Sequence, residues 1–326
     1  MLSADHIFSI ASPQEFDDSC LEIFRHQSRH CAVYAKYLAL LGVNTDIIKQ
    51  PEDIPFLPIE FFKKHTIVSV NREPQMVFSS SGTTGSVQSK HSVADVAIYE
   101  QSFRTAFTRC YGSPEDWTIL ALLPAYAERE GSSLIYMVDD LIHQSKEPLS
   151  GYFLYDHAAL FDVLEQLKAK SSKTLLIGVT YALLDFVENY RMDFPGLVVM
   201  ETGGMKGRRR EMVREEVHER LCAGFNVASI HSEYGMTELL SQAYSTGNGL
   251  FRCPPWMRII IRDTNDPFST LPEGLTGGIN VIDLANVQSC AFIATQDLGK
   301  SHSDGHFEVL GRFDQSDVRG CNLLIQ

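Results

Sequence analysis

Four short apolar runs, separated by helix-patterned stretches, constrain the folding of this chain more than any other feature. Residues 117–124 read WTILALLP, 173–179 KTLLIGV, 196–204 GLVVMETGG and 226–235 NVASIHSEYG. Each is bounded by turn residues and reads as a buried strand. Between them HAALFDVLEQLKAK and KGRRREMVREEVHERLCAG carry helical spacing, for instance at Val213, Val217 and Leu221. This alternation predicts an α/β fold: mostly parallel strands flanked by helices, with active-site loops at the strand C-termini. After about residue 251, WMRIIIRD, GGINVIDLA, SCAFIATQD and HFEVLGRF read as short strands joined by turns. They predict a small antiparallel β subdomain. The expected division is an α/β core over residues 1–250 and a β-rich subdomain over 251–326, within reach of a 326-residue chain.

At the N-terminus, Ser12-Pro13-Gln14-Glu15 offers an N-cap, a first-turn proline and a capping-box glutamate. A helix should follow, with Phe16, Leu21, Phe24, Tyr34, Tyr37, Leu38 and Leu41 as its apolar positions, or two helices with a break near residues 25–30. The apolar, proline-punctuated segment 54–70 should wrap onto the body of the protein. No run approaches the roughly 20 apolar residues of a membrane span, and the first 16 residues have no secretory pattern. The expected location is the cytoplasm. Seven scattered cysteines without a CxxC pair give no zinc or disulfide framework. A net charge of −13 argues against nucleic acid as the main partner.

Residues 79–85, SSSGTTG, follow the strand-like QMVF and can wrap backbone N–H groups and hydroxyls around phosphate oxygens. The loop is not a Walker A sequence, because no Gly-Lys-Ser/Thr follows Gly85, and no GxSxG nucleophile elbow occurs in the chain. Read alone, it suits a polar surface turn as well as a phosphate cradle. Residues 234–238, YGMTE, follow a buried strand, and alone they suit a strand-end turn. Residues 201–206, ETGGMK, place two glycines together, which permits close approach of a flat ligand. Arg208, Arg209 and Arg210 then read as a solvated face or an anion site. His231 suits a satisfied structural histidine or a pocket wall, and Tyr126, Arg129 and Gly131 mark a further loop without giving its role.

In this order the motifs resemble those of the AMP-forming adenylating superfamily, which includes acyl-CoA synthetases and luciferase-like enzymes. Ser80, Ser81, Gly82, Thr83, Thr84 and Gly85 match its phosphate loop; the Pro-Lys that usually follows is absent, and Lys90 lies displaced. The segment IPFLPIEFFKKH and the loop together most resemble the acyl-protein synthetase branch of the bacterial bioluminescence fatty-acid reductase, then phenylacetate–CoA ligases. The resemblance implies that Tyr234 stacks on adenine, Thr237 contacts phosphate and Glu238 holds Mg2+. It also implies that Gly203 and Gly204 line the adenine and acyl pockets and that Asp297 binds the ribose hydroxyls. In GRFD, residues 311–314, Arg312 would reach the ribose and Asp314 would be a hinge pivot.

The implied reaction converts ATP and a carboxylic acid, fatty or aryl, into acyl-AMP and pyrophosphate. The acyl group then passes to a thiol, with CoA as one candidate, or to a partner protein or carrier. The chain ends six residues after Gly320, where superfamily members carry a mobile domain with a charge-neutralising lysine. The expectation is a chain without that domain, with Lys206 or Lys90 as substitute cation. The alternatives are a site completed by a partner, and a nucleotide- or acyl-binding module without turnover. Cys321 reads as a structural thiol or an acyl-carrying nucleophile.

Overall fold

The computed structural model describes residues 2–80, 87–125, 129–203 and 212–313. The chain divides into two compact units, Met1–Val70 with Pro255–Gln326, and Asn71–Pro254. In the discontinuous unit, helices α1 (Ala4–Phe8), α2 (Pro13–His30) and α3 (Ala32–Leu40) come first. Strand β1 (Leu57–Pro58) and helix α4 (Phe61–Lys64) follow. The capping box at α2 forms as its sequence requires: the Glu15 N–H donates to Ser12 Oγ at 3.2 Å, and the Ser12 N–H donates to Glu15 Oε2 at 3.1 Å. The helical stretch breaks at Cys31, whose extended ψ of 97° separates α2 from α3.

The continuous unit begins with a hairpin, β2 (Met76–Ser79) and β3 (Lys90–Val93), and then helix α5 (Val96–Tyr111). Strands and helices alternate from there: β4 (Thr118–Leu122), α6 (Ser133–Gln144), β5 (Gly151–Tyr152), α7 (His157–Ala169) and β6 (Thr174–Gly178). Next come α8 (Thr180–Asn189), β7 (Leu197–Glu201), α9 (Arg214–Phe225), β8 (His231–Tyr234), β9 (Ala243–Ser245) and β10 (Leu250–Arg252). Within this unit the strand order is β10-β9-β8-β7-β6-β4-β5. Strands β4 to β8 pair in parallel, and β9 and β10 add antiparallel pairs. Every residue of β4 and β6 is buried, as expected of parallel strands covered on both faces.

Strand β8 starts five residues later than the apolar run from Asn226 suggests. Asn226 takes a left-handed conformation (φ 52°) and caps α9, so residues 227–230 form the connection. Val213, expected on the buried face of α9, is the residue before the helix and is 66% exposed, whereas Val217 and Leu221 are buried.

The discontinuous unit resumes with β11 (Met257–Arg262), β12 (Thr276–Asp283), β13 (Phe292–Ser301) and β14 (His306–Arg312), an antiparallel meander. Strand β1 pairs in parallel with β13, Leu57 opposite Ile293. The sequence pattern groups residues 1–70 with the larger core; in the structure they belong with the meander. The apolar face of α2 covers it: the Phe24 ring meets Phe292 edge-on at 5.9 Å. Gln27, fully buried, donates to the carbonyls of Asn286 (2.8 Å) and Val287 (3.2 Å) and accepts from the Ala291 N–H (2.9 Å). Among the described residues, no helix is long and apolar enough to cross a membrane.

Candidate active site

Parallel strands β4, β6, β7 and β8 end at the same edge of the sheet, so the segments after Gly178, Glu201 and Tyr234 emerge together. The β2–β3 hairpin carries Ser80, the second residue of the predicted loop. Its N–H donates to the Ser89 carbonyl at 3.1 Å, and the Ser89 N–H donates back to Ser80 Oγ at 3.0 Å. These two bonds close the base of the loop. Ser79 N–H donates to the Gly131 carbonyl at 2.7 Å, which ties the hairpin to the loop before α6. Ser81, Gly82, Thr83, Thr84 and Gly85 lie outside the described residues, as do Tyr126, Gly204, Lys206, Arg208, Arg209, Arg210, Asp314 and Cys321. Lys90 is exposed on β3, opposite Ser79.

His91 of β3 is 1% exposed, and its Nδ1 lies 2.9 Å from the Thr237 carbonyl oxygen. A carbonyl only accepts, so Nδ1 carries the proton. Burial holds the imidazole down to about 4, against the opposing pull of the Thr237 bond, and keeps the ring neutral. The hairpin with Ser80 and the turn with Thr237 are thereby joined.

The second motif leaves β8 at Tyr234, which is 8% exposed and meets Phe251 edge-on at 6.0 Å. At Gly235 a Cβ would lie 2.3 Å from Glu233 Oε1, so any side chain there displaces the Glu233 carboxyl. Met236 accepts from the Leu239 N–H at 3.1 Å, which turns the chain and leaves Glu238 at 5% exposure. Glu233 keeps some accessible surface. Even so, loss of hydration is the main reason its carboxyl is pushed up to about 8, and the charge of Glu201 adds to it. His231, two residues earlier on the same face of β8, meets the Tyr111 hydroxyl at 3.1 Å, and burial lowers its pKa.

Glu201 ends β7. Its Oε2 accepts from the Gly203 N–H at 2.7 Å and from Thr180 Oγ1 at 3.1 Å, and its Oε1 lies 3.7 Å from His218 Nε2. Burial alone would raise its pKa, but His218, Arg214, Ser232 and the Gly203 N–H outweigh it and hold the carboxylate at about 2. Gly203 has φ 74°, a conformation that disfavours any side chain.

In the other unit, Asp297 and Arg312 are register partners across β13 and β14. Arg312 Nε donates to Asp297 Oδ1 at 3.1 Å; the aspartate is 9% exposed and the arginine 78%. The Phe313 N–H donates to the Gln296 carbonyl at 2.8 Å, and the Gln296 side chain donates to Glu60.

Sequence reasoning missed His91, Glu201, His218 and Glu233. Glu201 left a trace, as a charged residue ending an apolar strand immediately before Thr-Gly-Gly. His91 left none, because its partner lies 146 residues away.

In sequence and in fold the chain is similar to members of the AMP-forming acyl-CoA synthetase/luciferase-like superfamily. It is similar to the long-chain-fatty-acid–luciferin-component ligase of Vibrio harveyi, 23% identical over 323 residues, covering 89% of this chain and 82% of the relative. A Photorhabdus luminescens ligase of the same name is 38% identical over 66 residues, 20% of this chain and 56% of that one. No protein-family model matches. Among solved structures, an open conformation of 2-hydroxyisobutyryl-CoA ligase in complex with 2-HIB-AMP and CoA aligns with a TM-score of 0.68 at 13% identity, over 93% of this chain and 70% of its own. ATP-bound MatB from Rhodopseudomonas palustris aligns with a TM-score of 0.54 at 18% identity, over 72% of this chain and 47% of its own.

Proposed function

We propose that this protein is an AMP-forming acyl-adenylating ligase. An oxygen of a carboxylic acid attacks the α-phosphorus of ATP, the bond to pyrophosphate breaks, and acyl-AMP forms. Attack by a thiolate or thiol on the acyl carbon then releases AMP. The observation that carries the reading is the 2.9 Å bond from His91 to the Thr237 carbonyl. It holds the hairpin of the hydroxyl-rich loop beside the Thr-Glu turn, so that both can face one phosphate chain.

The chemical demand is charge. A carboxylate approaching a phosphate is repelled, and donors fixed in advance at the reacting oxygens lower that barrier. Ser80 and the loop that follows supply hydroxyls and backbone N–H groups, and the Thr237 hydroxyl supplies another. Tyr234, held by Phe251, is assigned to the adenine face, and Gly203 to the adjoining wall. Asp297 and Arg312 are assigned to the ribose.

The donor set at the turn fits Mg2+, which takes one or two carboxylates together with water and substrate phosphates. Glu238 is one such carboxylate, and among the described residues no group of three or more metal-ligating side chains forms a protein cage. When bound, Mg2+ neutralises phosphate charge.

The names of the relatives support a fatty acid as substrate and either CoA or a protein as acceptor. Carboxylate-dependent exchange of labelled pyrophosphate into ATP tests the adenylation step, since only a working catalyst reverses it. Exchange with at least one acid is expected. ATP binding without exchange across a broad panel of aliphatic and aryl acids would replace this reading with a binding module.

A further inference from the structure

We propose that Glu201 is a positioning residue for the nucleotide, fixing Gly203 to helices α8 and α9 before the ligand arrives. This rests on the assignment of Gly203 to the adenine wall given above.

The two carboxylate oxygens divide the work. Oε2 takes the Gly203 N–H (2.7 Å) and the Thr180 hydroxyl (3.1 Å), and Oε1 faces His218 on α9 (3.7 Å). Arg214 and His218 are four residues apart, so they share a face of α9, and both favour the ionised carboxylate. Arg214 is the first residue of α9, where the helix dipole disfavours a cation. The Glu201 charge compensates for that placement. Arg214 also lies over the Phe251 ring at 4.9 Å, and Phe251 is the ring that meets Tyr234 edge-on. One carboxylate and one helix face thus lead to both proposed walls of the adenine slot, Gly203 and Tyr234.

Stability alone does not call for such a network. Replacing a whole buried ionic network by apolar side chains is often neutral or stabilising. An apolar side chain cannot accept the Gly203 N–H, so the carboxylate orients the loop in a way that hydrophobic packing does not.

The test compares wild type with Glu201→Ala, Glu201→Gln and Thr180→Val. ATP affinity is measured by calorimetry, the KM for ATP and kcat by pyrophosphate exchange, and folding by thermal melting. Glu201→Ala is expected to weaken ATP binding and raise its KM about tenfold, with kcat nearly unchanged. Glu201→Gln keeps an acceptor for Gly203 and should recover most of that loss, to within about threefold of wild type. Thr180→Val should cost about threefold, and it decides the matter if the alanine variant does not fold. The inference is overturned by wild-type ATP affinity in a folded alanine variant or in Thr180→Val. Equal losses in the alanine and glutamine variants that follow melting temperature also overturn it. Wild-type protein that binds no ATP overturns the functional reading itself.

Discussion

The imidazole of His91 donates to the main-chain carbonyl of Thr237 across 2.9 Å, linking a hairpin and a turn 146 residues apart in sequence. Because the bond ends on backbone, it sets the position of the turn whatever the Thr237 side chain does. His91→Ala leaves a half-buried carbonyl without this donor. It should lower stability by about 1–3 kcal/mol and lower kcat for pyrophosphate exchange about tenfold or more. Exchange kinetics at a temperature well below the melting point separate the two effects. Unchanged kcat in the folded variant would contradict the positioning role.

Glu238→Gln keeps the shape of the side chain and removes its charge. With Glu238 assigned to Mg2+, exchange activity is expected to fall about 100-fold or more, with melting temperature nearly unchanged. Titrating Mg2+ against exchange rate checks this. A variant with the wild-type Mg2+ response would remove Glu238 from the metal assignment.

Stability should peak in mildly acidic solution, because two groups oppose each other. Burial, then the Glu201 charge, pushes the Glu233 carboxyl from 4.5 to about 8. Between those values the unfolded chain gives up its proton while the folded chain keeps it, so stability falls as pH rises. Burial lowers His91 from 6.5 to about 4, so there the unfolded chain binds a proton first and stability falls as pH drops. Each slope approaches about 1.4 kcal/mol per pH unit. Urea denaturation over a pH series should show Glu233→Gln flattening the alkaline limb and His91→Asn the acid limb. An alkaline limb untouched by Glu233→Gln would show that Glu233 is ionised in the fold.

Gly235 and Glu233 should be energetically coupled. A Cβ at Gly235 meets the Glu233 carboxylate end at 2.3 Å, so Gly235→Ala must displace that carboxyl, at about 1–2 kcal/mol. In a Glu233→Ala background the same change should cost less than half as much. Equal costs in both backgrounds, measured by denaturation, would refute the clash.

Gln27 satisfies three buried backbone groups at once. Gln27→Ala should therefore destabilise the protein by about 2–4 kcal/mol, more than a solvent-facing glutamine of α2 such as Gln14. Chemical denaturation of both variants checks the ranking.

Much of this fold was legible because its signals are local. Ser12 and Glu15 announce the start of α2, and the apolar runs at 117–124 and 173–179 become β4 and β6 within a residue or two. Strand β5, two residues long, is too short to leave a pattern, and Asn226 hid a helix cap inside an apparent strand. At the site, Tyr234, Thr237 and Glu238 were visible as a motif at a strand end. His91, Glu201 and Glu233 act through partners that only folding supplies. The grouping of the N-terminal helices with the last four strands was hidden for the same reason.

That grouping has a consequence for how the protein is made. Residues 71–254 form a unit from one uninterrupted stretch of chain. Helices α1 to α3 emerge ahead of the meander and must wait: Gln27 meets Ala291 only after 264 further residues have been added. At synthesis rates of roughly 5–20 residues per second, that wait lasts on the order of ten seconds or more. During it the apolar face of α2, with Phe16 and Phe24, has no meander to cover it. The nascent α2 thus needs a chaperone more than a segment whose partners are adjacent in sequence.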